Sequence, residues 1–435
     1  MTKMKDSGIK WIGEIPEEWS INKIKYEYKI QTGFTPDTSR EDYYSDDGVT
    51  WISIADLTNC KNKIISESTS KISEKYIKEK HPAIVLKDSL LYSFKLSVGK
   101  VGFAGKDFYT NEAIASFQNE KNVCLNYLYY AAFLIEENAN INIYGAKILN
   151  QDLINNSITI MPPLKEQQLI ADFLNVKIKD IDKILADLNK QVDILNRCKQ
   201  SVITEKILGI NNINMIQLPD GWKKSKLGYT LSVLTDYHAN GSYETLSEHV
   251  TLLDDPDYAL MIRTTDLEKK DYNNNVIYIN EDAYHFLKKS KVFGNEVIIN
   301  KIGSAGKVYY MPKLNRPVSL AMNQFLLRFK EGILSKYIYY YLKTKYAKEQ
   351  ISERVQGAVT LTITKEAVRS IPTIIPQYEI QVKIVDYLDN ECSKIDEVIS
   401  DKQNQIEKME RYKQSLIYEY VTGKKRVKGA EELYG

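Results

Sequence analysis

The sequence predicts an α+β protein in which two mixed α/β domains are separated by two long helices. The helices are expected to pack as an antiparallel coiled coil, which gives the chain a pseudo-two-fold internal repeat. Three observations predict this fold. A helical segment of about 50 residues occurs twice, with a constant offset of 214 residues. Each copy follows a domain-sized segment of short β-type runs, and each carries an apolar seam that it cannot bury alone.

The helical repeat is the most specific of these signals. The segment that starts at Thr159 returns at Thr373, and about 18 of about 50 aligned positions are identical without a gap. Weaker matches recur in the same order in the preceding segments, for example between residues 51–57 and residues 261–267. Because these matches keep their order, the chain consists of two related halves.

The domain boundaries follow from the repeat. They are 1–158 for the first variable domain, 159–209 for the first helical spacer, 210–371 for the second variable domain, 372–425 for the second helical spacer and 426–435 for a tail. The Asn- and Gly-rich segment 209–221 is the expected linker, and the tail from Lys424 onward is expected to fray because it lacks periodicity. Short β-type runs between Gly, Asn and Asp turns predict an α+β fold in each variable domain.

Apolar residues in each helical copy recur at coiled-coil spacing. Pro162 and Pro376 end the preceding strands, and Gly209 and Gly423 are the expected C-caps. About 30 continuous residues predict a rod of roughly 45 Å. The predicted helix–helix and partner-subunit interface comprises Ile181, Leu188, Leu195, Val202, Ile395, Met409, Tyr412 and Leu416. The alternative is that each helix packs only on its own domain.

Composition narrows the function without naming it. Hydrophobic and charged contents of 43% and 27% are those of a soluble globular protein, and no apolar run is long enough to cross a membrane. The four cysteines are far apart, which predicts a reducing, cytoplasmic environment and no disulfides. The four histidines never reach metal-ligand spacing, so no metal site is expected. A net charge of +2 allows a polyanionic partner but does not require one.

Motifs of catalysis are not found. Residues 304–307 read Ser-Ala-Gly-Lys, but a phosphate-binding P-loop needs Ser or Thr next and a glycine at the position of Lys301. A β-hairpin turn is the simpler interpretation. Neither a methyltransferase cofactor loop nor a nucleophile elbow is present, so no catalytic residue is assigned.

The ordered motifs identify a family. The chain resembles the specificity (S) subunit of type I DNA restriction-modification systems over nearly its whole length. The resemblance rests on a Thr-Gly-Phe-Thr-Pro motif at 32–36, on Trp-Ile-Ser-Ile-Ala-Asp-Leu at 51–57, and on Thr-Asn-Glu-Ala-Ile at 110–114. It rests also on Pro-Pro-Leu-Lys-Glu-Gln at 162–167, which leads into the long helix, and on the variable–spacer–variable–spacer layout.

The resemblance implies two target-recognition domains, each of which reads one part of a bipartite, asymmetric site in double-stranded DNA. It implies that the helices act as spacer and as the dock for two methyltransferase (M) subunits, joined by two restriction (R) subunits in complexes that also cleave. No cofactor is expected in this chain, since S-adenosylmethionine would belong to the M subunit and ATP with Mg to the R subunit. Domains on a rigid rod should meet duplex stretches about 34 Å apart, one helical turn.

Candidate DNA contacts are polar or basic residues near turns, which can reach phosphates or base edges. In the first domain they are Thr35, Arg40, Tyr43, Tyr44, Lys95, Ser97, Lys100 and Lys147. In the second domain they are Tyr243, Arg263, Lys301, Ser304, Lys307 and Arg316. Arg263 follows an apolar run, so a strand end is expected to point its guanidinium outward, where arginine pairs with guanine.

Two other classes of protein fit parts of the pattern. A coiled-coil scaffold protein that binds protein partners would show no salt-dependent DNA affinity. A nuclease or methyltransferase would bind its cofactor as an isolated chain.

Overall fold

The computed structural model describes residues 3–60, 63–95, 97–120, 123–142, 145, 147–208 and 221–429. The predicted cap Gly209, nearly all of the predicted linker and the last part of the tail lie outside these ranges. The chain forms two compact units. Unit 1 comprises Met1–Asp187 and Gln405–Gly435, and unit 2 comprises Leu188–Asn404.

Unit 1 contains a mixed sheet and several short pairings. Its strands are β1 (Met4–Asp6), β2 (Glu14–Pro16), β3 (Ser20–Lys23), β4 (Ile30–Thr32), β5 (Tyr44–Ile52), β6 (Ile64–Ile65), β7 (Lys71–Ile72), β8 (Leu90–Ser93), β9 (Val101–Ala104), β10 (Tyr109–Thr110), β11 (Ile114–Phe117), β12 (Asn140–Ile141), β13 (Lys147–Ile148) and β14 (Ile158–Met161). Its helices are α1 (Ile24–Glu27), α2 (Ile54–Thr58), α3 (Glu74–Lys80), α4 (Leu125–Ala131), α5 (Phe133–Glu136), α6 (Gln151–Asn156) and the first part of the long helix α7 (Leu164–Leu208). The five-stranded sheet has the order β4-β11-β8-β9-β6, and a three-stranded sheet has the order β10-β5-β7.

Unit 2 repeats this plan with two four-stranded sheets. Its strands are β15 (Lys223–Lys226), β16 (Leu231–Asp236), β17 (Ala259–Ile262), β18 (Ile277–Ile279), β19 (Lys291–Val292), β20 (Val297–Asn300), β21 (Val308–Tyr310), β22 (Val318–Leu320), β23 (Gln324–Phe329) and β24 (Pro372–Ile375). Its helices are α8 (Leu227–Thr230), α9 (Tyr243–His249), α10 (Thr264–Lys269), α11 (Glu281–Phe286), α12 (Ser335–Leu342), α13 (Lys345–Ser352), α14 (Lys365–Ser370) and the first part of α15 (Tyr378–Val421). The sheet orders are β16-β23-β20-β21 and β18-β17-β22-β19.

The same strand pairing places the same helix in both units. In unit 1, β5 pairs in parallel with β10 at Ile52 and Thr110, and α2 follows directly. In unit 2, β17 pairs in parallel with β22 at Ile262 and Leu320, and α10 follows. β17 and β20 are completely buried, which explains their nearly continuous apolar sequences.

The two long helices pack against each other antiparallel, as the repeat predicted. In unit 1 the ring of Phe173 contacts the ring of Tyr420, and Asp182 forms an ion pair with Lys413 at 2.5 Å. The residue numbers of the contacting residues rise along α7 and fall along α15, so the two helices run antiparallel. Unit 2 shows the same order, because Lys199 pairs with Asp396 and the ammonium of Lys206 lies over the ring of Tyr387.

The second long helix ends at a position that only glycine can occupy. Gly423 has φ +72°, and a Cβ there would lie 2.3 Å from Pro16, so the predicted cap is confirmed. The residues just beyond it do not fray, contrary to the sequence expectation. Lys424 donates to the carbonyl of Glu14 at 2.6 Å, and Arg426 is held by a carboxylate of unit 1.

Candidate nucleic-acid interface

A Gly-Lys hairpin joins β8 to β9 in unit 1 and β20 to β21 in unit 2. In unit 1 the amide of Gly99 donates to the carbonyl of Ser93 at 3.0 Å, and in unit 2 that of Gly306 donates to Asn300 at 2.8 Å. Both glycines have positive φ, which tight turns require. The segment that resembles a P-loop is therefore a β-hairpin turn, as the sequence interpretation held.

The loop before β5 presents one group of candidate residues. Arg40 is exposed, and its guanidinium donates two hydrogen bonds to Asp42, each 2.8 Å long. Tyr43 is only 6% exposed and packs in an aromatic cluster of unit 1, with its hydroxyl 3.1 Å from a carboxylate oxygen of Glu79. The structure therefore places Tyr43 in a core rather than on the surface that the sequence suggested, because its ring is buried among other aromatic rings.

Two further candidates flank the same cluster. Thr35 is exposed, and its hydroxyl accepts a 3.0 Å hydrogen bond from the amide of Asn111, which belongs to the Thr-Asn-Glu-Ala motif. Tyr44 is half-buried and donates to the carbonyl of Pro36 at 3.0 Å. Two motifs that are distant in sequence thus meet at one edge of the unit.

The hairpin of unit 1 carries the remaining candidates of that unit. Lys95 and Lys100 are exposed, Ser97 is half-buried, and Lys147 lies on the neighbouring β12–β13 pair. The ion pairs of this group are Lys95–Glu112 at 3.3 Å and Lys147–Glu136 at 3.2 Å. Since these pairs are exposed, they are weak enough for phosphates to replace the carboxylates.

In unit 2, Arg263 and Tyr243 line a pocket of about 470 Å³ together with Met322 and Asn323. Tyr243 stands at the rim, with 72% of its surface exposed. Arg263 does not point freely outward as predicted. Its guanidinium turns back to the buried carboxylate of Asp266 with hydrogen bonds of 3.1 and 2.8 Å. The reason is local, because residue 263 is the N-cap of α10 and Asp266 lies in the first helical turn.

The other basic candidates of unit 2 are also paired. Lys301 donates to Asp236 at 3.1 Å. Desolvation would raise the pKa of Asp236, but hydrogen bonds from Lys365 and Lys301 outweigh it and lower the pKa. Arg316 donates to the hydroxyl of Tyr278 at 3.2 Å. Lys301 directly follows β20, beside the hairpin, whereas Arg316 precedes β22 and contacts a residue of β18.

Ser304 and Lys307 stand on the hairpin itself. The hydroxyl of Ser304 accepts from the amide of Asn300 at 2.6 Å. Lys307 extends to Glu268 at 2.6 Å and lines a second, larger cavity. Four of the six candidates of unit 2 are thus divided between two cavities, and the contacts of all six with DNA remain predictions.

The predicted interface residues of the helices differ in burial. Ile181, Leu188 and Leu416 are buried, and Leu195, Val202, Ile395 and Met409 are half-buried. Tyr412 is 53% exposed, so it lies outside the seam between the helices. Apart from four candidates that line them, sequence reasoning missed the residues of both unit-2 cavities, because these residues come from segments that no spacing connects.

Within the ranges that the structure describes, no group of three or more His, Cys, Asp or Glu is placed to hold a metal ion. In those same ranges, none of the helices is both long and apolar enough to cross a membrane. Cys124, Cys198 and Cys392 are free thiols.

Known proteins are similar to this chain in sequence or in fold. A putative type I restriction enzyme specificity subunit, MjaX, of Methanocaldococcus jannaschii is 24% identical to the chain, over 96% of each protein. The MjaVIII specificity subunit of the same organism is 23% identical over 95% of this chain and 94% of its own. A structure solved in work on complex assembly and conformational transition of the type I R-M system aligns with a TM-score of 0.66. At 12% identity, over 94% of this chain and 98% of that one, it shows a shared fold.

A family model covers both halves. The model described as type I restriction modification DNA specificity domain matches residues 16–193 and again residues 219–408. Each match contains one variable domain and most of the long helix that follows it. Because two copies of the domain account for most of its length, the chain belongs to the family of type I restriction-modification DNA specificity proteins.

Proposed function

We propose that each unit reads one half of a bipartite, asymmetric DNA site and that the long helices dock two methyltransferase subunits. The chain is the recognition subunit of its complex rather than the catalytic one. S-adenosylmethionine would be bound by the methyltransferase partner, and ATP with Mg by restriction subunits where these join. The complex would act in the cytoplasm.

The observation that carries the proposal is a repeated scaffold with unlike reading residues. The position before the helix that follows the parallel strand is Ser53 in unit 1 and Arg263 in unit 2. Ser53 closes a capping box with Asp56, whereas Arg263 presents a guanidinium held by Asp266. Asp266 and the carbonyl of Asn275 engage Nε and Nη2 of Arg263, which leaves Nη1 to donate to an acceptor on a base edge, whereas a serine presents no cation. The two half-sites should therefore differ.

Docking is supported by apolar side chains that the helices leave uncovered. Ile184 in unit 1 and Val398 in unit 2 occupy equivalent positions of the repeat, and each is 44% exposed. Two equivalent apolar positions fit two copies of one partner subunit. Exposed apolar groups at matching positions favour an interface over a solvated face.

Replacement of residues 1–158 by the matching domain of a relative tests the division of labour. With the methyltransferase partner present, sequencing of methylated adenines should show one half of the motif changed and the other half kept. The reciprocal replacement of 210–371 should change the other half. A change in both halves, or in neither, contradicts independent recognition domains.

Docking is tested by Ile184→Asp combined with Val398→Asp. Both side chains are already in solvent, so the fold should survive while co-purification with the methyltransferase is lost. Lys190→Asp, also on α7 and exposed, is the matched control and should keep the complex. Intact complexes with the double variant would contradict this docking face.

A further inference from the structure

A large cavity in unit 2 lies between the recognition domain and the long helices. Its volume is about 1110 Å³. It is lined by residues of α10, the Gly-Lys hairpin, α12, α13 and the unit-2 parts of both long helices. Ligand pockets usually measure about 300–1,000 Å³, so this space suits a nucleotide-sized molecule rather than a duplex.

Positive charge exceeds negative charge in this cavity. Each carboxylate that lines it is already engaged by one lysine. The pairs are Lys307–Glu268 at 2.6 Å, Lys336–Asp389 at 2.6 Å and Lys199–Asp396 at 2.6 Å. Three further lining lysines, Lys270, Lys343 and Lys348, make no ion pair with a carboxylate in the described part of the chain. The cavity therefore holds an excess of three ammonium groups.

Lys343 is a lining lysine whose charged form is unfavourable. It is half-buried, and its ammonium lies 4.8 Å from the centre of the Tyr339 ring. Desolvation lowers its pKa, and the charge of Lys199 lowers it further. Lys348 at the rim donates to the side-chain oxygen of Gln200. Ammonium groups gathered without a counter-ion are unfavourable, and a bound anion would relieve them.

Aromatic rings line the same space. Tyr272, Tyr309 and Tyr339 contribute their side chains to the wall. The hydroxyl of Tyr309 hydrogen-bonds to Glu268 at 3.0 Å, which holds that ring in place. Fixed tyrosine rings beside lysines suit a ligand that has both a nucleobase to stack and phosphates to neutralise.

We propose that this cavity binds a small phosphorylated ligand with an aromatic base, of the class of nucleoside polyphosphates. Lys343 and Lys348 contact its phosphates, and the tyrosines stack on its base. The site is separate from the Tyr243–Arg263 pocket. Unit 1 differs at the related place, where Lys63 lies over the rings of Tyr129 and Tyr130.

Calorimetric titration of ATP, without metal, into the full-length chain tests the proposal. ATP should bind saturably, and Lys343→Met and Lys348→Met should each weaken binding roughly tenfold, because each removes one charge-assisted contact. Sodium tripolyphosphate should bind more weakly than ATP because it lacks a base. Lys288→Met, an exposed lysine outside the cavity, is the control and should bind ATP normally.

Stability measurements exclude a trivial loss of fold. Lys343→Met removes an unpaired, half-buried charge, so its thermal midpoint without ligand should equal or exceed that of the wild type. Lys348→Met at the rim provides a second variant. Absence of saturable ATP binding, equal affinity in the variants, or equal affinity for tripolyphosphate would overturn the proposal. So would loss of duplex binding in Lys343→Met without ATP binding by the wild type, which would assign the lysines to DNA phosphates and leave the recognition function intact.

Discussion

Units 1 and 2 make the same contact between their long helices, but they differ in the contacts between these helices and the domain that packs on them. Asp182 pairs with Lys413 in unit 1, and the repeated residues Asp396 and Lys199 pair in unit 2. Next to this pair, however, the hydroxyl of Tyr130 is bound by the neutral side chain of Asn175 in unit 1. The residues kept in the repeat thus make the same contact between the helices in both units, and the residues that differ make unlike polar contacts with the domains.

The same contrast holds at the cavity. Asn175 of unit 1 corresponds to Asp389 of unit 2, which binds both Tyr340 at 2.7 Å and Lys336 at 2.6 Å. In unit 1, Lys63 donates to Tyr130 and Asn175 at 2.6 Å each and has no carboxylate in these contacts. One scaffold therefore supports an open, charged cavity in one unit and a lysine packed on aromatic rings in the other.

The largest effect should come from a contact made in unit 1 alone. The buried carboxylate of Glu166 accepts from Trp19 at 2.9 Å and from Arg426 at 2.8 Å. Arg426→Met should lower the free energy of unfolding by roughly 3–5 kcal/mol, because it leaves a buried charge without its cation. Denaturant titration measures this loss.

The repeat supplies the control for that variant. Position 380, which corresponds to 166, is isoleucine in unit 2. The double variant Glu166→Ile with Arg426→Met removes both charges and should regain most of the lost stability. A single-variant loss below about 1 kcal/mol would show that the ion pair is not needed.

Arg263→Ser tests whether the reading residue differs between units. Serine with Asp266 would recreate the capping box that Ser53 and Asp56 form in unit 1, so folding should be preserved. Affinity for the cognate site should fall by about 1–3 kcal/mol, and preference should relax at one base pair. Titrations on single-substituted duplexes measure both quantities. Unchanged affinity and preference would remove Arg263 from the reading surface.

Lys63→Met probes the contact of Lys63 with the rings of Tyr129 and Tyr130 in unit 1. Burial lowers the pKa of Lys63 to about 8, with Asp182 opposing and Lys413 adding to the shift. The charged form therefore destabilises the folded state below pH 8, and this penalty disappears as pH rises toward the unfolded pKa near 10.4. The variant should be more stable than the wild type by roughly 1–2 kcal/mol at pH 7, with solvent screening included. The gain should shrink by pH 9.5 in parallel unfolding curves, and a constant gain would contradict it.

The smallest effects should be equal in the two units. Lys199→Ala and Lys413→Ala each remove one lysine–aspartate pair between the helices, and the pairs are partly exposed. Each should cost about 0.2–1 kcal/mol in denaturant titrations and less at high salt. Losses that differ clearly between the two variants would break the equivalence of the repeated scaffold.

The scaffold could be predicted from the sequence because it depends on spacing. Gly423 was assigned correctly because a glycine after a long apolar periodicity is a strong helix-end signal. Arg263 was misplaced because the capping interaction with Asp266, three residues later, outweighs the outward direction of a strand end. Lys199 and Lys343 could not be joined from sequence, since their proximity depends on how the long helix packs on the domain.

The contacts that Gly423, Lys424 and Arg426 make with the first segment of unit 1 have a consequence for synthesis. Unit 2 is continuous in sequence, so all of its residues have been synthesised before residues 405–435 are made. Unit 1 needs residues 405 onward to cover α7 and to neutralise Glu166. Its first segment, Met1–Asp187, must therefore wait, with apolar surface uncovered, while about half of the chain is translated. Of the two units, the one whose synthesis begins earlier is thus completed later.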